Sequence, residues 1–577
     1  MRKNSGRVLL ILTTLVVVVL TAFPKTVGLP LDTKPTENPA DILALLREAA
    51  AAGREDPLLS LSLREDAIGF AANLALADLL WDREAEGISF LRRALELHES
   101  KDLRFRLAEG LKGKGDTAAA AMEYLTLLPD SRAIDALQSI HTDREVILSA
   151  LAEGGYWQAV VDFLNTFPTE AFTDRDEIYL AQAMVQLDDF DRARPLLKEL
   201  AVQFPEDQTV MWHYARTLEA IEKTEEAIIL YNDLGSRGAQ RLGQLYEQDD
   251  KRELAAAAYA RSTDPAVIWR GAVLWDELGE HQRALALYRK LTHEPGPYRD
   301  DAMYRSYLLL VEAGSPEAQD YLGELSARPS WMVRLNMEPS WPLLTALESD
   351  ESMLLMRLDA YRQAGRDDLV NVELSIAWQS AAPQDKISLG NWYSDRSDFR
   401  QAARWGVGAL KEITAREAYE LAYPRPFFEE VGQAAAEFDL EPELIWAVMR
   451  EESRFQPAVV SWAGAIGLMQ IMPATGEEIA AKLDERFSED LLTQPSVNIR
   501  WGAYYLRSML NLYGDDLDKA LAAYNGGPGN VRRWHKSELG KTSSGFPTAI
   551  TFFETREYIT KVTDSYLTYL WLYGDQR

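Results

Sequence analysis

The sequence predicts an all-α protein built from several units, and three observations carry that prediction. From Ala40 to about Pro295, Ala, Leu, Glu and Arg dominate and no alternating β-branched run appears. Within that region a small residue, followed four later by an aromatic or Leu, recurs at regular intervals. From about Pro424 onward the chain breaks into short helical stretches separated by Pro and Gly.

Composition bounds the function. At 577 residues the chain is too long for one ordinary domain, and roughly three or four are expected. The 61 basic and 90 acidic residues leave a formal net charge of −29. A general nucleic-acid binder needs a basic footprint, so that class is excluded as a partner. There is no Cys, hence no disulfide and no lipoprotein anchor. A large helical core does not need disulfides even outside the cytosol. No His/carboxylate cluster has metal-ligand spacing, and no Ser/His/Asp triad or phosphate loop stands out. Neither a metal nor any other cofactor is expected.

Residues 1–28 read as a signal peptide or N-terminal anchor. Arg2, Lys3 and Arg7 precede an uncharged, mostly apolar run of 16 residues, Val8 to Phe23. That length falls between a signal-peptide core and a spanning helix of ~17–25 residues. Thr26-Val27-Gly28 is a poor cleavage site, so export is expected, with cleavage and retention both open. Residues 29–39 are Pro- and Thr-rich and read as linker.

Residues 40–330 repeat. Ala159/Phe163, Ala193/Leu197 and Ala227/Tyr231 fall 34 residues apart, and Ala255/Tyr259 and Ala284/Tyr288 follow after 28 and 29. Ala120/Tyr124 is an earlier copy. A second small residue lies 12 before the first at Ala108, Ala181, Ala215, Gly243 and Ala272. Small residues let two helices approach, and the large one fills the space between units. Trp212, Tyr214, Trp269, Trp275 and Tyr288 are read as core fillers. The pattern resembles a degenerate tetratricopeptide array, which implies a curved α-superhelix with a long concave surface. That surface would bind a glycan strand or a partner protein, or only position the C-terminal domain. Residues 331–423 read as a less regular helical bridge that ends the superhelix. Tyr423-Pro424-Arg425-Pro426 marks the boundary of a last domain, 424–577.

In that domain helices are expected at 428–438, 442–455, 475–482, 497–513, 517–524, 530–535 and 556–573. Pro442 suits a first-turn position. At 100° per residue, Glu452 lies within about 60° of Ile445, Val448, Met449 and Phe455, on the apolar stripe. Glu451 turns toward its edge. A carboxylate there must be paired, hydrogen-bonded or neutralised. Arg450 and Arg454 are close enough to make it a paired structural Glu, and periodicity alone favours that. Otherwise burial raises its pKa, which suits a general acid.

The stretch after it narrows the choice. Glu452-Ser453, Gly467-Leu468-Met469-Gln470, Ala523-Tyr524-Asn525-Gly526-Gly527 and Tyr558 stand in order. Together they resemble the motifs of the Slt-type lytic transglycosylases, lysozyme-like enzymes of the peptidoglycan glycan strand. The resemblance implies a lysozyme-like α-helical catalytic domain behind the superhelix. It also implies that one Glu acts twice, here Glu452. That Glu protonates the leaving oxygen, then takes the proton of the muramic C6 hydroxyl as it attacks C1. The product is a 1,6-anhydro sugar, with the substrate's N-acetyl group stabilising the positive centre. This is an exception to the two-carboxylate rule.

By the same resemblance Ser453, Met469, Gln470, Met472, Tyr524, Asn525, Glu554 and Tyr558 are the candidate substrate-binding residues. The Gln470 amide suits an N-acetyl group or a hydroxyl. Met469 and Met472 suit an apolar sugar platform, and Tyr524 and Tyr558 offer a ring face and a hydroxyl. Two departures stand out: Glu451 where a Gln often precedes the pair, and Thr551 where a Pro often precedes Glu554-Thr555-Arg556. The partner is then the peptidoglycan strand, with protein partners on the superhelix left open. The location is the periplasm or cell envelope, with residues 8–23 as an optional inner-membrane anchor. Two other readings stand: an inactive peptidoglycan-binding scaffold, and a lysozyme-type hydrolase on the same fold.

Overall fold

The computed structural model describes residues 38–83, 85–293, 295–346 and 352–574. The N-terminal run read as a targeting segment, with nearly all of the linker, lies outside them. Among the described residues no β-strand forms. Only isolated bridges occur, two of them within residues 460–471.

The repeats fold as the small/large pattern requires except at Ala159, which is half-buried while its neighbour Val160 is fully buried. Ala120, Ala193, Ala227, Ala255 and Ala284 are fully buried, as are Tyr124, Tyr231 and Tyr288. Gly243 shows why smallness matters: a Cβ there would stand 2.2 Å from the Tyr259 ring. The turn between the two helices of a unit carries one left-handed residue. Asp188, Glu222 and Asp250 adopt it without glycine, although this conformation is uncommon for other residues.

A second repeat signal was not read from the sequence. An acid lies four residues after the earlier small residue of the unit (Ala215, Gly243 or Ala272), and the Tyr of the same unit donates to it. Tyr231 Oη bonds Glu219 at 2.7 Å, Tyr259 Oη bonds Glu247 at 2.6 Å and Tyr288 Oη bonds Asp276 at 3.1 Å. An Arg from a following helix, Arg241, Arg270 or Arg305, then pairs with the same acid. The aromatics Trp269 and Trp275 are buried as expected, while Trp212 and Tyr214 are half-buried.

The chain closes on itself. Leu354, Leu358, Leu369, Val372 and Trp405 share one core with Ile42, Leu46, Phe70 and Leu76. At this seam the buried Glu373 accepts from Ala67 N at 2.8 Å, at the start of helix Ala67–Leu79. Arg357 pairs with Glu373 at 2.6 Å. So residues 353–410 do more than end the array; they join its last helices to its first.

The C-terminal unit completes the circuit. Its core is built around helix Pro442–Glu452, helix Pro495–Leu512 and helix Phe553–Tyr573. Helix Phe553–Tyr573 also packs on the short helix Pro329–Arg334 at the end of the array. Arg334 pairs with Asp518 at 2.9 Å and Arg328 with Asp564 at 3.0 Å. A little further along the same stretch Trp341 stacks on Trp571 at 4.7 Å, and from the bridge Tyr419 meets the Trp571 ring at 5.0 Å.

Helix starts differ from expectation where proline leads. Three helices begin at Pro473, Pro495 and Pro528, each earlier than read, because a first-turn proline loses no hydrogen bond. Thr475 therefore lies inside its helix, whose N-cap is Met472. Among the described residues no helix is long and apolar enough to cross a membrane.

Candidate active site

Glu452 is the last residue of its helix, which stops three residues short of the expected end at Phe455. Arg454 and Phe455 both take positive φ, 50° and 63°. Two such non-glycine residues in succession mark backbone held by its surroundings. Ser453 does part of the holding. Its buried Oγ lies 2.7 Å from Leu468 O and 3.1 Å from Met449 O, and accepts from Phe455 N. The Ser of the motif therefore joins the helix end to the following turn and has no hydroxyl left for a ligand.

That turn is the Gly467–Gln470 stretch, closed by reciprocal hydrogen bonds of 3.0 Å between Ile466 and Ile471. Gly467 has φ 85°, and a Cβ there would meet Leu492 O at 2.2 Å. The fully buried Asn498 clamps the turn. It accepts from Met469 N at 2.7 Å and donates to Ile466 O and Leu492 O at 3.0 and 2.8 Å. Nothing in the sequence reading singled out Asn498, a lone polar residue on an apolar helix face.

Met469 corrects an expectation. Its side chain is completely buried against Gly502, so it cannot line a sugar platform. Its carbonyl instead accepts from Tyr524 Oη at 2.8 Å. Gln470 commits its amide nitrogen to Gly467 O at 2.8 Å, with Val459 O at 3.3 Å. The Asn525 carbonyl accepts from Thr555 Oγ1 at 2.7 Å.

Glu452, Gln470, Met472, Tyr524, Asn525, Glu554 and Tyr558 line one cleft of about 940 Å³. Trp462 also lines it, at the head of a tight turn made by Ser461 and Ala465. Its ring is 97% exposed. Neither Trp462 nor Phe552 or Lys561, which share the lining, was picked out as a site residue from the sequence, and Arg454, also in the lining, was read only as a possible partner of Glu452. An exposed Trp has no periodic signature.

The Arg that would make Glu452 structural goes elsewhere. Arg450 pairs with Glu451, which also accepts from Ser565 Oγ at 2.8 Å. Glu451 is thus held at the helix edge. Among the described residues no Lys or Arg forms an ion pair with Glu452. Its carboxyl sits deep in protein, and burial is what pushes its pKa up to about 7, with smaller upward pushes from Glu451 and Glu554. The Tyr558 hydroxyl pulls the other way. That hydroxyl is buried, faces Glu452 and makes no hydrogen bond of ordinary geometry. Thr551, the departure from Pro, accepts from Trp534 Nε1 at 2.9 Å and so fixes its loop by another means.

Residues 429–545 match the family model of the Transglycosylase SLT domain. The C-terminal unit is an SLT domain. Its sequence is 38% identical over 128 residues to the soluble lytic murein transglycosylase of Salmonella typhimurium. It is 36% identical over 133 residues to the Escherichia coli protein of that name. Each match spans 22% of this chain and only about a fifth of the relative, 20% and 21%. The fold likeness is wider. An inactive mutant of the lytic transglycosylase Slt of Pseudomonas aeruginosa superposes with TM-score 0.64 at 20% identity, over 92% of both chains. The 70 kDa soluble lytic transglycosylase of Escherichia coli gives 0.56 at 17%, over 93% of this chain and 97% of that one. A helical superhelix ahead of a lysozyme-like SLT domain is therefore the fold of the described residues, and the fold alone implies nothing of the cleft chemistry.

Proposed function

We propose that the chain is a lytic transglycosylase that cleaves the MurNAc–GlcNAc β-1,4 bond of peptidoglycan. Glu452 is the single general acid and base. One observation carries the reading: a largely enclosed carboxyl whose pKa burial pushes up to about 7, with no cation paired to it among the described residues, lines an open cleft. A group so poised can give and retake a proton near neutral pH. The Glu452 proton goes to the glycosidic oxygen as the C1–O bond breaks. The Glu452 carboxylate then takes the C6 hydroxyl proton as that oxygen bonds to C1. No water is consumed, and the new end is 1,6-anhydro-MurNAc.

The other residues serve binding. Tyr558 faces the acid with its hydroxyl; Gln470, Asn525 and Glu554 supply polar contacts. Met472, Tyr524 and the exposed Trp462 offer surfaces for sugar rings. Ser453 and Met469 support the turn from behind. Residues 40–330 and 331–423 form the superhelix and its bridge, and residues 424–577 the catalytic domain. Relatives are named as soluble or membrane-bound murein transglycosylases, which supports action in the cell envelope after export. Protein partners on the superhelix belong to the same proposal, as does anchoring through residues 8–23.

A lysozyme-type hydrolase remains the second reading, because Glu554 shares the cleft and could act as its second carboxylate. Digestion of peptidoglycan with protein lacking residues 1–28, read by mass spectrometry, separates the two. We expect anhydro ends, lost about 10²–10⁴-fold in Glu452→Gln. Reducing ends alone, abolished in Glu554→Gln, would establish the hydrolase. No product from the wild type would leave the binding scaffold.

A further inference from the structure

The first turns of helix Phe553–Tyr573 face two ways. Glu554 and Tyr558 line the cleft. Arg556, two residues from each, lies about 160° round the helix from both. Its side chain enters the repeat array, where it is 2% exposed. There Nε donates to Asp301 Oδ2 at 3.1 Å, and Nη1 donates back to Ile550 O at 2.7 Å. The guanidinium lies 4.7 Å from the Trp269 ring and 5.3 Å from that of Tyr298. Tyr298 in turn packs on Phe553 at 5.0 Å. Asp301, Trp269 and Tyr298 all belong to the array, far in sequence from the cleft.

Stability does not explain this arrangement well. A buried ion pair is often no better than apolar residues of the same size. What the pair supplies is a fixed position. Thr555 holds the same turn from the side through Asn525. Tyr558, by contrast, makes no hydrogen bond of ordinary geometry, and the polar group its hydroxyl faces is the Glu452 carboxyl itself. Its placement follows from where the helix is pinned.

We propose that Asp301 is a positioning residue for the cleft: through Arg556 it sets the first two turns of helix Phe553–Tyr573, and so sets Tyr558 against Glu452. The superhelix then builds part of the active site rather than only presenting it. This rests on the proposed role of Glu452 as acid and base.

The test is a kinetic cycle on soluble glycan strands with otherwise full-length protein lacking residues 1–28. Asp301→Asn should lower kcat about 10-fold or more while KM changes less than about 2-fold, since small misplacements near reacting groups are costly. In a Tyr558→Phe background the same change should have little further effect on kcat. Tyr298→Ala, which leaves the ion pair intact, should act in the same direction and decides the matter if Asp301→Asn does not fold by circular dichroism. The proposal is overturned if folded variants keep kcat within about 2-fold and lose only melting temperature. It is equally overturned if the losses from Asp301→Asn and Tyr558→Phe multiply independently. Failure of the functional reading would look different, because the wild type itself would then release no anhydro product.

Discussion

Glu452 holds a proton more tightly in the folded protein than in the unfolded chain, since burial lifts its pKa from the ordinary 4.5 to about 7. The stability this contributes is full below about 4.5 and is lost as pH rises through about 7. Glu452→Gln stays neutral throughout. Its melting temperature should match the wild type near pH 4 and exceed it near pH 8; equal gaps at both pH values would contradict the assignment. The same pKa predicts that wild-type turnover falls roughly tenfold per pH unit above 7, because the leaving oxygen needs the acid form. At this scale much was legible in advance. Inward-facing Glu452 followed from helix periodicity and its motif neighbours. Whether Arg450 or Arg454 paired with it did not, because residues one or two apart on a helix end do not reveal which way a long side chain turns. Met469 was misplaced for a related reason: a motif position shows that a residue is needed, not whether its side chain or its carbonyl is used.

At the scale of elements, the reading was good for helix interiors and poor at their ends. The amphipathic stripe of helix Pro442–Glu452 is strong, yet its end is set by Ser453 bonding to Leu468, a contact outside the helix. The turn that receives this bond tolerates little. Gly467→Ala would bring a Cβ within 2.2 Å of Leu492 O and 2.4 Å of Asn498 Nδ2, at a left-handed φ. A loss of about 2 kcal/mol or more in denaturant stability is expected from clash and strain combined. Activity should fall with it, because Gln470 hangs from the same turn. Gly464→Ala, which meets nothing nearby, should cost less, only the strain of its φ of 90°. Equal losses at the two glycines would show that packing at Gly467 is looser than these distances imply.

Across the whole molecule, the repeat spacing foretold a superhelix, and the superhelix is there. Its closure was not foretold, because periodicity marks which face of a helix is buried and not what buries it. The seam joins residues 306 apart in sequence. Glu373→Ala would leave Arg357 partly buried without its main partner and Ala67 N without an acceptor. Breaking a buried pair in this way costs about 3 kcal/mol. Differential scanning calorimetry should show a lower first transition for that variant, with the helices from Pro39 to Leu79 released ahead of the SLT domain. A melting curve superimposable on the wild type would mean that apolar packing alone holds the seam.

An open stack of repeats bends under load at one end and leaves the other end slack. A closed one behaves as a hoop: force applied anywhere is shared round the circumference, and a cut anywhere softens every part. The SLT domain is one link of that hoop, held to the end of the array through Arg328 and Arg334 and to the bridge through Tyr419 against Trp571. The stiffness with which the cleft keeps its walls apart is then a property of the entire circumference, so wear at the Glu373 seam would register as slackness beside Glu452.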